Sequence, residues 1–263
     1  MFLELICFLL YGSSAGIIVS GLFNAQGPKK PLALGLATLA LFVHIVILWD
    51  TVFILPGQNM SIMNVASFVA WLITATMIVA SFSLPNTILL PVVFGFTAIV
   101  VMLAPLLTDM HVMHYNIQPA VLIHVGLALM AYACLSIAFL YAMQLAYINI
   151  RLKEKKASLL HSSLPPLMAV ETILFKLLLV GTVLLTLSLI SGFMFLENMF
   201  AKEQAHKTVL SILAWLIYSV ILFGHAKFGW RGKWVISATI VGSILLTLAY
   251  FGSRFVREVI INT

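Results

Sequence analysis

Eight apolar runs, each about as long as a bilayer is thick, leave this chain few folds to choose from. They cover roughly 2–22, 32–54, 61–82, 87–106, 120–150, 174–197, 206–226 and 234–256. In hydrocarbon every backbone N–H and C=O must find a partner within its own segment or a closed barrel. That excludes loops and open sheet edges, and leaves the helix as the default. The prediction is an all-α polytopic membrane bundle of eight transmembrane helices. Composition agrees: 8% of residues are charged, against about 25% in a soluble domain. No soluble domain and no internal repeat stands out, so 1–263 reads as a single membrane domain. The first run does not read as a cleavable signal, because its leading residues carry Glu4 and no Lys or Arg.

The breaks between runs are marked by Pro, Gly and polar residues. Asn24 to Pro31 closes the first span, Pro56-Gly57 the second, and Leu84-Pro85-Asn86 the third. Thr108 to Pro119 is a polar loop with His111 and His114, and the longest connection runs from Arg151 to Pro166. After it, Leu167 to Lys176 is expected to lie along the membrane surface before the sixth span. Positive charge sets the orientation. Lys29, Lys30, Arg151, Lys153, Lys155, Lys156, Lys176, Lys227, Arg231 and Lys233 fall on one side, ten in all, against four (Lys202, Lys207, Arg254 and Arg257) on the other. The positive-inside rule makes the richer side cytoplasmic and both termini external, N-out and C-out. This asymmetry explains the net charge of +6 without a nucleic-acid partner. Cys7 and Cys134 stand far apart in apolar runs and form no CxxC, so no redox motif is read.

Ionisable groups inside spans are costly, and each is a candidate for function. His44 sits mid-span, about 20 Å from Pro31 by helical rise. His124 lies in the first turns of the fifth span. His206 and His225 bracket the seventh, 19 residues apart, or about 28 Å. They therefore face opposite membrane surfaces and do not share one small ligand. Neutral imidazole is a good axial ligand for haem iron, and facing helices make a natural haem pocket. A lone buried histidine is nevertheless more often a hydrogen-bond bridge between helices, so both readings stand for His44 and His124. Interfacial solvation accounts for His206 and His225 equally well. His111 and His114 suit a weak metal site or plain solvation, and His161 lies in the basic loop. No phosphate loop, nucleophile–base pairing or zinc signature is present, so no enzyme active site is visible.

His124-Val-Gly-Leu-Ala-Leu-Met-Ala-Tyr-Ala133 resembles a helix opening of the cytochrome c assembly proteins. Glu171 to Lys176, Leu185 to Gly192, Lys207-Thr208, Ala214 to Tyr218, His225, Gly229 to Gly232 and Tyr250-Phe-Gly252 follow in that family's order. The resemblance covers about 120–255. The N-terminal half, with His44, Gly57 to Asn59 and Ala66 to Trp71, is similar to the HemX/YpjD branch of the family. The resemblance implies an inner-membrane protein that handles haem b or a related tetrapyrrole. It implies His124 as the outward-facing haem ligand and His225 as a ligand of haem held within the membrane. His44 is then a candidate partner for either, with His206 as a further cofactor-binding candidate. Two departures count against a stand-alone synthase: Phe195 to Ala205 lacks the family's Trp-rich segment, and no histidine follows the final span. The expected role is a haem-binding accessory or regulatory factor. The alternative is a haem-free scaffold that docks a partner protein through Arg151–Pro166. A transporter is third, weakened by the lack of inverted repeats.

Overall fold

A computed structural model gives the fold and describes residues 1–22, 24, 27–54, 57–59, 61–107, 112–113, 119–153, 165–195 and 205–252. The helices are α1 (Phe2–Leu22), α2 (Lys30–Val52), α3 (Ile62–Ala80), α4 (Leu90–Leu107), α5 (Pro119–Lys153), α6 (Leu167–Phe195), α7 (Ala205–Phe228) and α8 (Lys233–Thr247), the last continuing into a π-helical turn, Leu248–Gly252. Eight helices among the described residues are long and apolar enough to cross a membrane, α8 counted with its π turn. The chain is thus the expected all-α membrane bundle. It divides into two compact units, α1–α4 and α5–α8.

In the first unit α1 packs on α2 and α4, and α3 on the same two helices. Ala33, Ala37 and Ala40 are fully buried along one face of α2, and their small size lets the α1 backbone approach closely. Ser14 on α1 donates to the Ala33 carbonyl at 2.7 Å. Thr74 and Thr97 join α3 to α4 at 2.8 Å. Ser61 caps α3 by accepting the Asn64 backbone N–H, which satisfies one of the free donors at a helix start. The Asn64 side chain donates to the carbonyls of Thr51 and Asn59.

Three short strands extend this unit: β1 (Phe53–Ile54), β2 (Gly57–Asn59) and β3 (Val112–Met113), antiparallel in the order β1-β2-β3. Phe53 and Ile54 therefore leave the second span, which ends at Val52. Strands this short carry no readable hydrophobic period.

In the second unit α5 packs along α6 and against α8, and α7 lies on α6 and α8. A Cβ on Gly181 would come within 2.7 Å of the Leu135 side chain, so this glycine sets how closely α5 and α6 meet. Polar pairs tie the helices across the apolar interior: Trp215 Nε1 donates to Thr186 at 2.8 Å, and Tyr218 meets Ser243 at 3.0 Å. At 35 residues α5 is the longest helix described.

The expected surface segment at Leu167–Lys176 is overturned. α6 runs unbroken from Leu167 to Phe195, because nothing between Leu167 and Val180 breaks a helix and its apolar side chains continue the span. Lys153, fully exposed at the end of α5, lies beside Lys233, whose hydrogen bond and charge hold its pKa below the usual lysine value. The rest of the Arg151–Pro166 connection, with Lys155, Lys156 and His161, falls outside the described residues apart from Pro165 and Pro166. So do His111, His114, Lys202, Arg254 and Arg257.

Candidate functional site

His44 is fully buried on α2. Its Nε2 lies 2.9 Å from Ser67 Oγ on α3, and its Nδ1 lies 3.5 Å from Tyr11 Oη on α1. Tyr11 in turn stacks on Phe94 of α4. The imidazole thus links three helices and touches the aromatic pair that reaches the fourth. Both ring nitrogens have partners, so an iron at Nε2 would have to displace Ser67. Truncating the ring strands two buried hydroxyls, each worth about 1–3 kcal/mol when unsatisfied. His44→Ala should therefore lower the thermal midpoint in detergent well beyond Ser67→Ala. Equal midpoints for the two variants would rule out this bridging role.

His124 and His225 are held differently. The Nδ1 of His124, on α5, lies 2.9 Å from the Ser188 carbonyl and 3.1 Å from Ser191 Oγ on α6. A carbonyl only accepts, so Nδ1 carries the proton and Nε2 keeps its lone pair. Ser191 also donates to the Ser188 carbonyl at 2.8 Å, which holds the acceptor in place. His225, near the end of α7, repeats the arrangement with the Trp230 carbonyl 3.0 Å from its Nδ1. Phe175 of α6 stacks on the His225 ring, with centroids 3.5 Å apart and planes 14° apart. A second-nitrogen bond to a carbonyl is how metal-binding histidines fix tautomer and ring orientation.

The chain end of α7 is shaped to make the His225 contact. Gly229 adopts φ +65° and donates its N–H to the His225 carbonyl, a left-handed helix stop that favours glycine. Trp230 then folds back, its N–H reaching the Gly224 carbonyl at 3.2 Å. Its ring lies where a Cβ on residue 224 would be.

Distance separates the histidines into independent sites. His124 is level with Ser188 and His225 with Phe175, 13 residues apart on α6, or about 20 Å by helical rise. They cannot hold the same iron. His206, exposed at the opposite end of α7, is 19 residues from His225 on one continuous helix. His44 belongs to the first unit. Among the described residues no group of three or more His, Cys, Asp or Glu side chains is placed to hold a metal ion. An axial haem ligand needs no such group, since the porphyrin supplies the other nitrogens.

Sequence alone gives no chemical role to Glu171, which enters only through the Glu171–Lys176 stretch of the family resemblance. It is buried on α6 and lines a cavity of about 360 Å³ between α6 and α7, with Phe175, Lys176, His225 and Arg231 among its walls. An acid four residues into an apolar helix was the available signal.

The profile of the family described as "Cytochrome C assembly protein" matches residues 33–261. The inner membrane protein YpjD of Escherichia coli strain K12 is 40% identical over 260 residues, covering 97% of this chain and 98% of the relative. The cytochrome c biogenesis protein CcsA of Prochlorococcus marinus strain AS9601 is 26% identical over 166 residues, covering 53% of this chain and 54% of the relative. No solved structure matches. A match over most of the chain, a full-length relative and eight membrane-length helices lead to one conclusion: the chain is a multi-pass inner-membrane member of the cytochrome c assembly protein family.

Proposed function

We propose that this protein binds haem b, or a related tetrapyrrole, and serves as an accessory or regulatory factor in haem handling for cytochrome c biogenesis. The observation that carries this reading is the His124 ring, fixed through Nδ1 on the Ser188 carbonyl with Nε2 left as an acceptor. Bound haem would bring an iron centre whose axial position takes a neutral imidazole. His124 is the first ligand in this reading. His225, held by the Trp230 carbonyl, is a ligand for a second haem, with His206 peripheral. His44 serves as a ligand only by giving up Ser67. In this reading 1–263 is a single membrane domain, and 120–255 is the region that resembles the cytochrome c assembly core.

The testing experiment is a haem titration of purified protein followed by absorption. A saturable Soret band is expected, and its absence at high haem would reject the reading. A haem-free scaffold is the second reading. It is favoured by His44, whose ring is fully occupied in joining helices, and it would dock a partner protein through Arg151–Pro166.

The orientation in this reading is N-out and C-out, from ten positive charges on one side and four on the other. A reporter fused after Thr263 should be active outside the cytoplasm, and one inserted at Lys155 inside it. Cytoplasmic activity at Thr263 would reverse the assignment.

A further inference from the structure

We propose that the groove between the start of α6 and the end of α7 binds one phospholipid with a primary-amine headgroup, a phosphoethanolamine. Glu171 forms the floor at 8% exposure. It makes no hydrogen bond or ion pair with another described residue. Its carboxylate opens only into the groove, which suits a ligand that brings a cation with N–H donors. Lys176 and Arg231 line the same groove, both exposed, and neither is paired with Glu171. An anion alone would suit this rim and worsen the floor, while a cation alone would suit the floor and be repelled by the rim. A headgroup carrying an ammonium one short linker from a phosphate satisfies both.

The groove also opens toward lipid. Met168 and Leu179, on the same face of α6, are 57% and 54% exposed and offer an acyl chain an apolar wall. Glu171 is four residues into α6, about 6 Å from its start, which is headgroup depth on the lysine-rich side. A primary ammonium has three N–H donors for the carboxylate, and a trimethylammonium has none. The site therefore discriminates by donor as well as by charge. His225 lines the same groove, so the lipid occupies it in the haem-free protein and would be displaced by a haem held there.

The test is native mass spectrometry of the full, detergent-purified, haem-free protein. It is titrated in turn with dioleoyl phosphatidylethanolamine, dioleoyl phosphatidylcholine and dioleoyl phosphatidylglycerol. One ethanolamine lipid should be retained about tenfold more tightly than either other lipid, the size of one charge-assisted hydrogen bond. Glu171→Gln should erase that preference, and Arg231→Gln should weaken both phosphatidylethanolamine and phosphatidylglycerol. Equal retention of the three lipids by wild-type protein would overturn the proposal, and this holds even if a variant fails to fold. So would an unchanged preference in a folded Glu171→Gln protein.

Discussion

The His124→Gly protein, titrated with haem, should lose the share of the Soret band that comes from the His124 site, and added imidazole should restore much of it. The substitution removes the iron–nitrogen bond and leaves a gap the shape of the missing ring. It does little else. Ser188 and Ser191 keep the hydrogen bond they make with each other, and glycine inside a helix costs about 1 kcal/mol relative to alanine. Loss of haem with retained folding is therefore the signature of a ligand. A positioning effect is tested separately by Ser191→Ala, which removes one of the two contacts at Nδ1. Loss of such a supporting partner typically weakens metal binding about 10–100-fold. If His124→Gly binds haem as wild type does, the outer site is misplaced. If haem binding and folding are lost together, His124 is a structural bridge.

Gly224→Ala should be among the most destabilising single methyl additions in the second unit. The new Cβ would fall inside the Trp230 ring, so either the indole or the helix end must move. Overpacking of this kind costs about 1–3 kcal/mol. Moving Trp230 also pulls its carbonyl from His225 Nδ1, releasing the tautomer and the ring. The control is the same change on a Trp230→Ala background, where the methyl meets no ring. There the clash is gone, and alanine's helix preference should make the change neutral or stabilising by up to about 1 kcal/mol, a coupling that only neighbouring residues show. Thermal unfolding of the four proteins in detergent measures it, and additive effects would show that Gly224 is not there to seat Trp230.

The eight spans were legible because bilayer thickness imposes a length rule that apolar runs either meet or fail. Their ends were less so. Phe53 and Ile54 are as apolar as the helix before them, yet pair as strand, and Leu167 to Lys176 has enough polar residues to mimic a surface segment. The histidines could be picked out as ionisable groups in apolar helices, but not sorted. His44 is a bridge because Tyr11 and Ser67, 33 and 23 positions away, close on it from two helices. His124 is tautomer-locked by a carbonyl 64 positions away. Glu171 stands five residues from Lys176, a poor spacing for a pair on one helix, so its own helix gives it no visible partner. Its surroundings become visible only when α7 brings His225 and the following turn brings Arg231 to the same groove.

The length of α5 has a consequence for the lipid around it. Its membrane-compatible part, Ala120–Arg151, is 32 residues, about 48 Å along the axis. Tilted by 40°, the upper end of what transmembrane helices adopt, it still spans about 37 Å, against roughly 30 Å of hydrocarbon. Tilt alone cannot hide the surplus. The final turns must then stand in the headgroup layer, which widens the bilayer to about 40–45 Å, or the bilayer must thicken locally to cover them. Those turns carry Tyr147 and Arg151, joined by a 3.1 Å hydrogen bond with the guanidinium over the ring, a pair suited to the boundary where lipid gives way to water. Thin membranes should accommodate this helix poorly, and thick ones should gather it.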